Sequence, residues 1–149
     1  VARLIGAKLP DHKIDGKDIS PLMFARPSAR SPHEAFYCYY RGGQLQAIRD
    51  RQWKLHFPHP YRTLAGRAGG TQGKPVQYSQ AKTKLELYDL KNDIGETTNL
   101  VDKHPKIVSR LKEFAATARE DLGDRLTNRQ GQGIRPAGKL QPKDAQLVW

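Results

Sequence analysis

Alternating apolar and polar positions mark out the first half of the chain. Trp53, Leu55 and Phe57 alternate with Lys54 and His56, the pattern of a half-buried strand. Upstream, Ala35 to Tyr40 is aromatic-rich and ends at the turn Arg41-Gly42-Gly43. Leu45, Ala47 and Ile48 lie in a second run, which closes at Arg49-Asp50-Arg51-Gln52. Short polar connections between these three runs predict an antiparallel meander. Leu85 to Leu90 predicts a fourth strand, with Leu85, Leu87 and Asp89 alternating against Glu86 and Tyr88. Asn92-Asp93-Ile94-Gly95 then makes a turn.

The spacing changes to a helical period after His104-Pro105. Proline suits a first helical position, where its missing N–H would be unpaired anyway. Ile107, Val108, Leu111, Phe114, Ala115, Ala118 and Leu122 fall on one face, and Gly123 supplies the stop. Residues 1–10 read as the last turns of a helix, terminated at Pro10. Residues 11–33 predict an irregular connector interrupted by Pro21, Pro27 and Pro32, with Ile14, Ile19, Leu22 and Met23 as anchors to a neighbouring surface. Residues 58–84 predict a long Gly/Pro-rich polar loop, and loops of that length inside a domain are usually functional or disordered. Residues 124–149 predict a basic polar tail. The fold class is α+β: a small four-stranded antiparallel sheet packed against one long C-terminal helix, with the folded unit over residues 34–123.

Composition narrows the function classes. The 149 residues carry 26 Lys and Arg against 15 Asp and Glu, a formal net charge of +11. That surplus favours anionic partners, although a merely solvated surface explains it equally well. Only 37% of residues are hydrophobic and the mean hydropathy is −0.76, so the core is small. One cysteine excludes an internal disulfide and a multi-cysteine zinc site. No stretch approaches the roughly 20 apolar residues that span a bilayer, so no membrane partner is expected. The chain opens on Val1 in mid-pattern, which predicts a piece of a longer protein.

Few residues carry recognisable chemistry. Cys38 lies within an aromatic strand, without a base in its neighbourhood, and reads as structural. His56 and His59 are close in sequence, but a strand and Pro58 spoil a helical metal spacing, and no metal site is expected. His104 reads as the cap before Pro105, and His12 and His33 sit in loops without a pattern. Glu86, Asp89, Asp93 and Glu96 cluster, yet their spacing departs from a calcium loop, and a strand end and turn explain them. Gly69-Gly70-Thr71-Gln72-Gly73-Lys74 lacks the ending of a phosphate loop. Tyr37, Tyr39, Tyr40 and the nearby arginines fit base stacking, but core packing against a helix accounts for them better. His56-Phe57-Pro58-His59-Pro60-Tyr61-Arg62 remains, two imidazoles, a phenol and a guanidinium where a strand feeds a loop. That set suits an anionic group such as sulfate, phosphate or carboxylate, but it contains no activated nucleophile.

Four stretches together resemble the C-terminal part of type I sulfatases, the arylsulfatase A and N-acetylgalactosamine-6-sulfatase group of the alkaline phosphatase-like superfamily. They are Ile14-Asp15-Gly16-Lys17-Asp18-Ile19; Tyr40-Arg41-Gly42 with Leu45-Gln46-Ala47-Ile48-Arg49; Trp53-Lys54-Leu55-His56-Phe57; and Leu87-Tyr88-Asp89-Leu90 followed by Asp93-Ile94-Gly95-Glu96-Thr97-Thr98-Asn99-Leu100. Ile94 stands where the family usually has proline. The order and spacing agree over about residues 1–123. The resemblance implies a parent, of exported type, that hydrolyses aryl or glycan sulfate esters. It also implies an N-terminal catalytic domain as partner, holding formylglycine and calcium, with residues 1–10 the end of a helix from that preceding domain. The Cys/Ser-x-Pro-x-Arg motif that matures to formylglycine is missing from this chain, since Cys38 is followed by Tyr39-Tyr40-Arg41-Gly42. The chain is therefore expected to be inactive alone, with no catalytic residue, no metal ligand and no cofactor of its own. Its expected role is to pack on the catalytic domain and shape the pocket, with His59, Tyr61 and Arg62 contacting the sulfated substrate. Detached, it is expected to self-associate through uncovered apolar surface. The alternative is a stand-alone basic module that binds polyanions, either nucleic acid or sulfated polysaccharide. A third reading, a purely structural interaction domain, predicts no small-anion contact near His59.

Overall fold

In the computed structural model, which describes residues 1–139, four strands form one antiparallel sheet. Two short helices come first, α1 (Ala2–Ile5) and α2 (Ser20–Met23). Next come β1 (Phe36–Tyr40), β2 (Gln44–Arg49) and β3 (Trp53–His56). A hairpin of β4 (His59–Thr63) and β5 (Ser79–Thr83) precedes β6 (Glu86–Asp89). The long helix α3 (Pro105–Leu122) leads into a small ladder of β7 (Gly123–Asp124) and β8 (Arg129–Gln130). The large sheet runs β1-β2-β3-β6, so β3 pairs with β6 across the inserted hairpin.

The expected meander, fourth strand and helix are all present. Residues 58–84 differ from the expected loop, because His59–Thr63 pairs in register with Ser79–Thr83. Among the residues of these two strands only His59 is buried, so they carry no apolar alternation to announce them. Pro60 sits within β4, which a two-stranded ribbon tolerates because its edge needs no further N–H. The expected tail differs as well: residues 123–130 form β7 and β8, and the N–H groups of Gln132 and Gly133 bond back to the carbonyls of Glu120 and Asp121 on α3. The rest of that expected tail, residues 140–149, lies outside the described residues.

One face of the sheet meets α3. Leu45 and Ile48 from β2, Leu55 and Phe57 at β3 and Leu87 from β6 are buried against Val108, Leu111, Ala115 and Ala118. Tyr37, Tyr39, Trp53, Ile107 and Phe114 flank this core, so two of the strand tyrosines do pack on the helix side. Leu122 lies off the buried face. The register shifts at Cys38/Tyr39, where Gln46 is an extra residue in β2, so Leu45 and Ile48, three positions apart, both join the core. His104 takes the N-cap position of α3 without a side-chain cap; its ring instead lies 4.8 Å from that of Trp53.

The outer edge of β6 is closed by the segment that follows the turn. Asn99 Oδ1 accepts from the Leu87 N–H at 3.0 Å, and the Leu100 N–H donates to the Leu87 carbonyl at 2.8 Å. Asp93 shapes the turn itself, accepting from the N–H groups of Thr97 and Thr98 at 2.8 Å. Those bonds hold its carboxyl below the usual range.

Candidate substrate-facing site

Strand β3 delivers His56 to the sheet face opposite the core, and Pro58 bends the chain into β4. His56 Nε2 lies 2.9 Å from Glu96 Oε2, and Lys54 Nζ lies 2.6 Å from Glu96 Oε1. Burial alone would raise the Glu96 carboxyl, but the hydrogen bond and charge of Lys54, helped by His56, hold it below its ordinary value. Burial lowers His56, and the neighbouring Lys54 charge adds to this against the pull of Glu96. An ionised Glu96 can only accept, so Nε2–H of His56 is the donor. The hydroxyl of Tyr88 donates to Glu86 at 2.8 Å, and burial together with that carboxylate pushes the phenol up to about 12.

His59 opens β4 and is 9% exposed. Its Nδ1 is 2.6 Å from the Phe57 carbonyl, which can only accept, so Nδ1 carries the proton. The ring stacks on His56 at 6.0 Å and meets the edge of Tyr61 at 6.4 Å. Tyr61 and Arg62 are exposed on the hairpin, and the Arg62 guanidinium stands 5.4 Å from the centre of the Tyr78 ring, within cation–π range. Tyr61 and Arg62 both line a cleft of about 300 Å³, with Pro60 and Tyr78 beside them and Tyr40, Arg41 and Gln46 opposite. Of the three expected contact residues, two therefore reach this cleft. The third, His59, is buried and meets Tyr61 edge-on.

Sequence reasoning did not select Tyr40, Arg41 or Tyr78 as site residues. Arg41 belongs to a visible turn signal, Arg-Gly-Gly, and occupies the left-handed region at φ 47°. The turn is held by Arg125, whose N–H donates to the Gly43 carbonyl at 2.9 Å and whose side chain packs against Gly42 and Gly43. A Cβ on Gly42, at φ 70°, would lie 3.2 Å from Arg125 Nη1.

A second polar cluster lies at the end of α3. Asp124 is 1% exposed; its Oδ1 accepts from the N–H of Leu45 at 3.1 Å and of Leu126 at 2.9 Å. Its Oδ2 accepts from Arg119 Nε at 2.8 Å. The Arg119 guanidinium in turn lies 4.3 Å from the Phe57 ring centre, and the Tyr39 hydroxyl donates to the Gly123 carbonyl at 2.8 Å. The cluster ties β1, β2, β3 and α3 together directly behind the strand that feeds the cleft.

The remaining candidates are accounted for locally. Cys38 is half-buried on the outer sheet face, and burial pushes its thiol up despite the charges of Lys54 and Arg49. His12 and His33 are exposed. Among the described residues no three His, Cys, Asp or Glu side chains converge as metal ligands, and no helix is long and apolar enough to cross a membrane.

Comparison with known proteins adds three relatives and a family. Residues 31–143 match the family model described as the C-terminal region of aryl-sulfatase. The chain is 30% identical to human arylsulfatase A over 127 residues, 76% of this chain and 24% of that protein. It is 34% identical to mouse steryl-sulfatase over 137 residues, 82% of this chain and 22% of the relative. A sulfatase of Formosa agariphila is 29% identical over 108 residues, 70% of this chain and 18% of that protein. The chain thus spans about a fifth to a quarter of the length of the curated relatives it matches.

Proposed function

Since the chain belongs to the family of aryl-sulfatase C-terminal regions, we propose that it is the C-terminal subdomain of a protein that hydrolyses sulfate esters, aryl or glycan. The observation that carries this reading is the family match over residues 31–143, which covers every strand of the large sheet and the helix behind it.

In this reading the subdomain packs on an N-terminal catalytic domain. Leu4, Ile5, Leu22, Met23, Phe24 and Phe36 are exposed on the segments ahead of and within β1 and supply apolar surface for that contact. The hairpin then faces the sulfated substrate. Arg62 offers a forked donor to a sulfate oxygen and Tyr61 a phenol, with the buried His59 against the Tyr61 ring.

The chemistry of bond cleavage belongs to the partner domain. The acidic residues here do not fit calcium: Asp93 is occupied by the Thr97 and Thr98 donors, Glu96 by Lys54 and His56, and Asp89 by Gln52 and Asn92. Cys38 does not fit formylglycine formation either, being half-buried in a strand and followed by Tyr-Tyr-Arg. Both groups are accordingly assigned to the catalytic domain, and the chain is inactive by itself.

Two measurements test this. The reading frame upstream of Val1 is expected to encode a Cys/Ser-x-Pro-x-Arg motif. The full-length protein is expected to turn over an aryl sulfate, and residues 1–149 alone are not. Turnover by the isolated chain at the rate of the whole protein would overturn the division of labour, and a full-length protein without the motif and without turnover would overturn the sulfatase reading.

A further inference from the structure

Strand β1 has an edge that nothing among the described residues pairs with. Along β2, the bonds to β3 involve Gln46 and Asp50: the Phe57 N–H donates to the Gln46 carbonyl at 2.9 Å, and the Asp50 N–H to the Trp53 carbonyl at 3.0 Å. Bonding alternates along an antiparallel strand, so Ala47 and Arg49 turn toward β1, where Cys38 and Phe36 are their partners. The Leu45 N–H, opposite Tyr39, donates to Asp124 instead of to β1. Tyr37 and Tyr39 therefore aim their backbone N–H and carbonyl groups away from β2, and no partner for these groups lies among the described residues. The edge opens into a groove of about 1190 Å³, bordered by Ile14, Lys17 and Leu122. Edge strands are commonly blunted by a charge, a proline or a bulge of their own. From Ala35 to Tyr40 there is no charged residue and no proline, and the extra residue of the bulge belongs to β2.

We propose that this edge binds a second copy of the chain, β1 against β1, in antiparallel pairing about a two-fold axis at Cys38. The strand is built alike on either side of that residue, with Tyr37 and Tyr39 next to it and Phe36 and Tyr40 beyond. Two-fold pairing sets Tyr37 against the partner's Tyr39, and the two exchange both outward backbone bonds. Phe36, 66% exposed, faces the partner's Tyr40, and Tyr40 is itself 55% exposed, so an aromatic cross-strand pair stands at each end. Phe36 is open enough to meet the catalytic domain as well. The small Cys38 meets its own copy on the axis, at a non-hydrogen-bonded position where facing side chains come closest. Glu34 comes near the partner's Arg41; both are exposed, and among the described residues neither forms a salt bridge. Opposite charges therefore meet at both ends of the pair. A shift of two residues either way sets Phe36 against glycine or cysteine, and a shift of one turns every side chain to the wrong face, which fixes the register. The pairing rests on the edge of this chain and not on the sulfatase reading.

Sedimentation equilibrium of the full-length protein, combined with cross-linking by diamide, tests the pair. A dimer is expected. Diamide takes up two hydrogens as two thiols join, and it is expected to link the copies covalently. Cys38→Ser is expected to abolish that link and to leave the non-covalent dimer in place. Phe36→Lys puts a charge on the edge at a side chain outside the core and is expected to weaken dimerisation by about tenfold or more. Glu34→Lys is expected to weaken it by about threefold. Lys112→Gln, on the exposed face of α3, is expected to change nothing. A monomer at every concentration, a dimer without a link through Cys38, or a dimer that Phe36→Lys leaves intact would overturn the proposal. A monomer whose Tyr37 and Tyr39 N–H groups are protected from hydrogen exchange would overturn it too, by giving the edge to the catalytic domain. Aryl sulfate turnover by the same preparation reports on the sulfatase reading separately. Turnover by a monomer fells the pair alone, and a dimer linked through Cys38 without turnover leaves the pair standing.

Discussion

Asp124 has the largest expected effect of any single side chain. It is a buried carboxylate whose two oxygens accept from a strand N–H, a loop N–H and Arg119. Asp124→Ala leaves Arg119 and the Leu45 N–H without their partner, and removing one side of a buried ion pair costs about 3–5 kcal/mol. A urea unfolding series should show that loss as a lowered midpoint with an unchanged slope. The Glu96 cluster makes a different prediction, one of pH. His56 lies below its ordinary 6.5 and Glu96 below its ordinary 4.5. The folded chain therefore binds fewer protons than the unfolded one in both windows. Stability is complete above pH 6.5 and falls on acidification, through His56 first and through Glu96 below pH 4.5. Unfolding midpoints at pH 7.5, 5.5 and 4.0 should decline in that order, and an unchanged midpoint between pH 7.5 and 5.5 would refute the His56 part. Neither Asp124 nor the Glu96 pairing was legible in the sequence. Both depend on residues brought together from distant segments, and an acid after a helix stop looks like any tail residue.

At the scale of elements, α3 and its junction with β7 set the frame. Gly123 ends the helix at φ 79°, and a Cβ there would lie 2.7 Å from the Gly131 backbone nitrogen and 2.8 Å from the Arg129 carbonyl oxygen. Gly123→Ala should cost about 2 kcal/mol or more, combining the left-handed strain with the backbone clash. Hydrogen exchange should show the loss as earlier opening of residues 123–133 than of β2 and β3. Leu111→Ala, at a fully buried position of the same helix, should cost about 2–5 kcal/mol and open the whole core at once. The sequence revealed α3 and β3 because their burial is one-sided and periodic: Val108, Leu111, Ala115 and Ala118 in one, Leu55 and Phe57 in the other. It did not reveal β4 and β5. Their strands pair through the backbone while burying only His59, which leaves no apolar rhythm to read. The cleft was half legible for the same reason, since Tyr61 and Arg62 lie in a conspicuous run while Arg41 and Tyr78 join them through pairing.

For the molecule as a whole, the core is one sheet face against one helix, and the apolar residues of the segment before β1 have little to cover them. Val1, Leu4, Ile5, Leu9, Met23 and Phe24 are all exposed. Residues 1–149 produced without further sequence should self-associate, with a sedimentation coefficient that rises with concentration. Constant sedimentation over a hundredfold range of concentration would refute this.

The closed edge at β6 limits what such association can become. Asn99 and Leu100 already occupy the outward groups of Leu87, whereas no backbone bond beyond those to β2 reaches β1 among the described residues. Among the described residues the large sheet thus has one unpaired edge, at β1. If two chains join edge to edge at β1, each uses the edge that the described residues leave unpaired, and strand addition through this sheet closes at a pair instead of continuing into a fibre.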